Sequence, residues 1–228
     1  MSTPTSSPDR ERVGVRYVSD AVKRDHRTLE KLYTTLGGGG GGDSPPPDPE
    51  LQRELQQRLC WELARHLVAM NLFIFPGTTR RASQGNQNAK DRQADLARLR
   101  ERMLDFRAVR VSPDPSSADG DVDVNGDGGE GGGEDEFRGA LSRLREDLAR
   151  HIRDVERTDM VAIEKMLSGE ESERLASDFG ATVFFIPPEV RGGPEGGEGV
   201  RAPFGSIDEL LDASAGELLG VLEGFPRE

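Results

Sequence analysis

The residues best suited to chemistry in this chain are its histidines, because a neutral imidazole is the commonest side-chain ligand for transition metals. The 228 residues include three: His26, His66 and His151. Each falls inside an apolar repeat of helical spacing. His26 sits among Val22, Leu29, Leu32 and Tyr33, His66 among Leu59, Leu63, Met70 and Phe73, and His151 among Leu144, Leu148, Ile152 and Val155. A histidine on such a stripe faces a core, where its ring nitrogens lose water and require a partner. A single one is ordinarily satisfied by a neighbouring carboxylate or carbonyl. Three on three separate helices can converge on one ion, and this predicts a metal site.

The elements that would position them follow from the same periodicity. A first helix runs from about Ser19 to Leu36 and stops at the glycines 37–42. Asp48 is placed to cap a second helix with Pro49 in its first turn, and the stripe Leu51, Leu55, Leu59, Leu63, His66, Met70, Phe73 carries that helix to Pro76. After a polar loop through Asn88, Leu96, Leu99, Met103 and Phe106 define a third helix. Phe137, Leu141, Leu144, Leu148, His151, Ile152 and Val155 define a fourth, starting near Glu136. Ser168 with Glu171, Ser206 with Glu209 and Ser214 with Glu217 have capping-box spacing and predict three short helices. Between the first two of these, VFFIPPEV predicts an extended strap, since Pro187 and Pro188 break regular structure.

The expected fold class is therefore all-α, an antiparallel up-and-down four-helix bundle with short C-terminal helices. Residues 1–16 predict a disordered lead, 17–167 the bundle with flexible loops at 37–47 and 111–135, and 168–228 a helical extension packed on it.

Charge narrows the partners. With 30 Lys and Arg against 42 Asp and Glu, the net charge is −12. An anionic chain repels phosphate backbones and anionic lipid, so neither nucleic acid nor a membrane is expected as partner. No stretch approaches the roughly 18 apolar residues of a membrane span, and the N-terminal residues lack an apolar signal core, which predicts a cytoplasmic protein. Cys60 is the only cysteine, so a thiolate metal cluster is excluded, and beside Trp61 it reads as a packed small hydrophobe rather than a redox sensor. The glycine runs lack the lysine and hydroxyl of a phosphate loop, and Arg65, Arg80 and Arg81 read as helix-end charges rather than an anion site.

The segments DAVKRDH, WELARHLVAMNLFIFP, DLARHIRDVER and APFGSIDELL resemble the hemerythrin-like, or HHE cation-binding, family, over roughly residues 19–225. The resemblance implies a four-helix bundle with a non-haem di-iron centre held by histidines and two bridging carboxylates. His26, His66 and His151 fall on family ligand positions. The residue four after His66 is Met70 and four after His151 is Val155, where the resemblance implies glutamates. Thr79, Arg80 and Arg81 stand where a further histidine would follow the second helix, and Ala94 and Asp95 where Glu-His would lie on the third. Asp154 and Glu156, the acids nearest the second missing bridge, point some 100° away from Val155 on an ideal helix of about 3.6 residues per turn. A complete di-iron centre is not expected. The sequence instead predicts at most one iron or zinc ion on His26, His66 and His151, with Asp95 as a fourth ligand. The leading expectation is a non-enzymatic protein with a degenerate cation site, a weak metal binder or structural module. The alternatives are an oxygen- or peroxide-handling metalloprotein and an interaction module whose acidic loop at 118–135 recruits a basic protein.

Overall fold

The structure is a computed structural model that describes residues 17–38, 47–76, 85–111, 132–191 and 202–225. Every element among them is helical. Helix α1 spans Val18–Leu36, α2 Pro49–Ala69, α3 Gly85–Ala108 and α4 Gly132–Asp154. A π turn, Met70–Ile74, extends α2, and a second, Val155–Asp159, joins α4 to the short α5, Met160–Glu164. Beyond these lie α6 (Gly169–Ala181), a 3₁₀ turn (Thr182–Phe185), α7 (Pro188–Arg191), α8 (Ile207–Asp212) and α9 (Ala215–Glu223).

The long helices run up and down. Gln56, early in α2, donates to the carbonyls of Phe106 and Val109 at the end of α3, while Asn71, past the end of α2, accepts from Gln93 early in α3. Arg102 meets Asp147 and Arg92 approaches Asp154, so α3 and α4 are also antiparallel. The bundle closes between α4 and α1, where Arg145 lies over the Tyr33 ring and Arg27 reaches Glu156. One apolar core joins Val22 and Leu29, Leu59 and Leu63, Leu99 and Met103, and Leu144 and Leu148, all 0–1% exposed.

The helix starts follow the capping chemistry in the sequence. Asp48 accepts from the amides of Glu50 and Leu51 ahead of Pro49. Ser168 with Glu171 and Ser214 with Glu217 form reciprocal capping boxes. At α8, Ser206 accepts from Glu209 N–H as expected, but the Glu209 carboxylate goes one residue further back, to Gly205 N–H.

The segment after α6 corrects the expected strap. Residues 182–185 wind into a 3₁₀ turn and 188–191 into α7, because Pro188 occupies the first position of a helix, where its missing N–H costs nothing. Helix α4 also starts earlier than the expected loop allowed, at Gly132. The expected lead at 1–16, residues 39–46 of loop 37–47 and residues 112–131 of loop 111–135 lie outside the described residues.

Helix α6 is tied to the start of α1, where Ser172 Oγ accepts from Val18 N–H at 3.0 Å and donates to Glu164 at 3.0 Å. Helix α8 is held on α3 by Arg100 with Asp212 and Arg107 with Asp208. No described helix is long and apolar enough to cross a membrane.

Candidate metal centre

The three apolar stripes carry their histidines to one place. The His26 and His66 ring centroids are 5.1 Å apart, His66 and His151 5.3 Å, and His26 and His151 5.8 Å. One ring nitrogen from each lies within 4.8 Å of the other two. His26 and His66 are wholly buried and His151 nearly so. Phe179 of α6 presents its ring edge-on to His66, with centroids 6.2 Å apart, so the C-terminal extension walls one side of the cluster.

Carboxylates set the orientation of two rings. His66 Nδ1 is 2.7 Å from Asp25 Oδ2, and His26 Nδ1 is 2.9 Å from Glu156 Oε1. A carboxylate can only accept, so each Nδ1 carries a proton and donates. The Nε2 atoms are thereby left facing inward. His66 Nε2 lies 3.1 Å from His151 Nε2, whereas His26 Nε2 is buried with no hydrogen-bond partner.

Burial dominates the electrostatics. It drives the His26 pKa down from 6.5 to about 2, helped by charge on His66 and resisted by Asp25. Burial likewise holds His151 well below its ordinary value, with further lowering from His66, His26 and Arg92. Burial would raise Asp25, but the Arg65 charge and the bond from His66 outweigh it and bring the carboxyl to about 2. His26 and His151 are therefore neutral, and Asp25 is anionic, at neutral pH.

A buried network stands behind His66. The Arg65 guanidinium, 4% exposed as a residue, pairs with Asp25 and, at 3.0 Å, with Glu62, and donates to Thr182 Oγ1 at 3.3 Å. Thr182 in turn donates to the Phe179 carbonyl at 2.6 Å.

Two features differ from the sequence expectation. Asp95 does not join the histidines: its carboxylate is 3.2 Å from Arg92 and 4.0 Å from Arg98, since two arginines flank it at three-residue spacing on α3. Arg92 also contacts Asp159 at 2.7 Å, where burial of the aspartate raises its pKa against the opposing pull of the guanidinium. The second difference is Glu156. It lies in the second π turn, where the Val155 carbonyl bonds the amide of Met160, five residues on. Its carboxylate instead reaches α1 and binds His26.

Met70 and Val155 stand as expected, both 0% exposed in the core. Cys60 is likewise fully buried, and burial pushes its thiol up to about 12, which makes it unreactive. Arg65 was legible only as a helix-end charge, and Asp25 and Glu62 carried no signal beyond their places one residue before His26 and three before Arg65. Arg80 and Arg81 lie outside the described residues.

A four-helix bundle with histidines from three helices at one buried point has the arrangement from which bundle proteins build metal sites between facing helices. The chain belongs to the hemerythrin family: the model of the hemerythrin HHE cation-binding domain matches residues 18–163. It is also similar to an uncharacterized hemerythrin-like protein of Schizosaccharomyces pombe, at 25% identity over 210 residues, covering 92% of this chain and 88% of the relative. No solved structure gives a significant match.

The donor set fits a metal ion. Three imidazoles offer nitrogen to zinc or ferrous iron, and Asp25 behind His66 and Glu156 behind His26 are the kind of carboxylate that supports such ligands. Imidazole nitrogens on one tetrahedral ion at about 2.0–2.1 Å stand about 3.4 Å apart, so a separation at the 4.8 Å limit would have to contract by about 1.4 Å.

Proposed function

We propose that this hemerythrin-like protein binds a single divalent ion, zinc or ferrous iron, weakly and without catalysis, at His26, His66 and His151. The observation that carries this reading is the buried His26 Nε2, which has no partner beside two further imidazole nitrogens. A buried polar atom without a partner costs about 1–3 kcal/mol, and a metal ion removes that cost.

Binding is weak for two reasons. The nitrogens must draw together, and the His66–His151 contact must open before both can turn lone pairs to one ion. A second ion is disfavoured, because Met70 and Val155 occupy the core as apolar residues and both nearby carboxylates are engaged with ring N–H groups. Arg92, whose charge is felt at His151, adds a fixed cation on that side. When bound, the ion would supply Lewis acidity and, as iron, a redox-active centre with at least one open coordination position.

That open position favours one other reading, an oxygen- or peroxide-handling protein. Equilibrium dialysis against zinc, and anaerobically against ferrous iron, tests the main proposal. One ion per chain, with a micromolar or weaker dissociation constant, supports it, and two ions per chain contradict it. Absorption bands that develop when the iron form meets oxygen would favour the second reading.

A further inference from the structure

Arg65 is a costly residue in its position. Taking a guanidinium out of water is unfavourable, and a buried pair rarely returns that cost as stability alone. Here burial opposes the charge, while Asp25 and Glu62 outweigh it and keep the side chain protonated. The guanidinium joins three elements: Asp25 on α1, Glu62 on its own helix, and Thr182 in the turn after α6.

Its contact with Asp25 has a directional consequence. Arg65 occupies Oδ1 of that carboxylate, and His66 Nδ1 is bonded to Oδ2. With Oδ1 held, Asp25 cannot rotate away, and Oδ2 stays aligned with the ring. In the neutral ring this keeps the proton on His66 Nδ1 and the lone pair on Nε2, on the side of His151.

We infer that Arg65 is a positioning residue for the histidine cluster, acting through Asp25 to fix the tautomer and orientation of His66, with Thr182 of the C-terminal extension anchoring the guanidinium. This rests on the proposed metal-binding reading only for its effect on affinity. The effect on the tautomer belongs to the metal-free protein.

The experiment uses the full chain labelled with ¹⁵N-histidine, in which three histidines give a spectrum assignable from single His→Ala variants. Two-bond nitrogen–proton correlations at pH 7.5 report which ring nitrogen of His66 is protonated, and zinc titration reports affinity. The wild type should show His66 as the Nδ1–H form. Arg65→Lys, which supplies charge without a planar fork, should show a mixed tautomer and a zinc affinity about 10-fold lower, in line with supporting residues that cost about 10–100-fold. Asp25→Asn should reproduce both effects, and the double variant should be no worse than Asp25→Asn alone. A folded Arg65→Lys protein with an unchanged His66 tautomer overturns the inference. If that variant does not fold, an unchanged tautomer in Asp25→Asn overturns it instead. A wild type that binds no zinc would sink the metal reading while leaving the tautomer result decisive for Arg65.

Discussion

His66 Nε2 and His151 Nε2 lie 3.1 Å apart, and both ring atoms cannot be bare acceptors at that distance. Asp25 accepts from His66 Nδ1–H, so when both rings are neutral the donor across this contact is His151 Nε2. The two rings thus hold each other through a hydrogen bond that an ion would replace. Shifting the His151 proton from Nε2 to Nδ1 frees the second lone pair. In the correlation spectra, His151 is expected as the Nε2–H form without metal and the Nδ1–H form with zinc. An Nδ1–H signal already present in the metal-free protein would contradict this account of the contact.

The buried neutral histidines make metal-free stability depend on pH. His26 has a folded pKa of about 2 against 6.5 unfolded, and His151 is also well below 6.5. Between the folded and unfolded values the unfolded chain binds more protons, so stability is complete above about pH 6.5 and declines as the pH falls. Each histidine contributes a slope of up to about 1.4 kcal/mol per pH unit. Asp25, lowered from 3.8 to about 2, adds a further loss below about pH 4. Urea midpoints of the metal-free protein should fall steadily from pH 6.5 to 4.5, and a flat profile there would show that the histidines are not buried as neutral groups.

Glu156 should matter to metal affinity while having little influence on the fold. Glu156→Gln keeps an oxygen for His26 Nδ1–H but removes its charge, and loss of such a supporting carboxylate costs about 10–100-fold in affinity. Zinc titration is expected to show that drop with the thermal midpoint nearly unchanged. Affinity equal to wild type would mean that the contact with His26 is incidental.

Ser172 offers a test of how the C-terminal extension is held. Ser172→Ala leaves the buried Val18 N–H without its acceptor and removes a donor from Glu164, which keeps the bond from Ser19 N–H. A loss of about 1–3 kcal/mol in urea unfolding is expected for the orphaned donor. A change below about 0.5 kcal/mol would show that α6 is held by apolar packing alone.

The convergence of His26, His66 and His151 was legible in sequence because each sits on a stripe of helical period, and stripes of one bundle share a core. Helix starts at Pro49, Gly169 and Ala215 were legible from their capping residues. Glu156 was not, since its angle from Val155 on one helix does not show that its carboxylate meets the Nδ1 side of a ring on another. Asp95 was misplaced for a different reason: as a lone carboxylate it suits a hard cation, but Arg92 and Arg98 on the same helix supply its charge partner. The strap expected at 183–190 failed because Pro188 was read as a breaker when it begins a helix. Arg65 was unreadable, as nothing in its own stretch of sequence announces Asp25 and Thr182 on other elements.

The most direct measurement of the central claim is metal content by elemental analysis, made on protein dialysed to equilibrium against zinc, or anaerobically against ferrous iron, at pH 7.5, with the free metal of the outer solution subtracted. About one ion per chain is expected in the wild type and none in His66→Ala. A value near zero or near two in the wild type, or an undiminished value in His66→Ala, would contradict a single weak site at the three histidines.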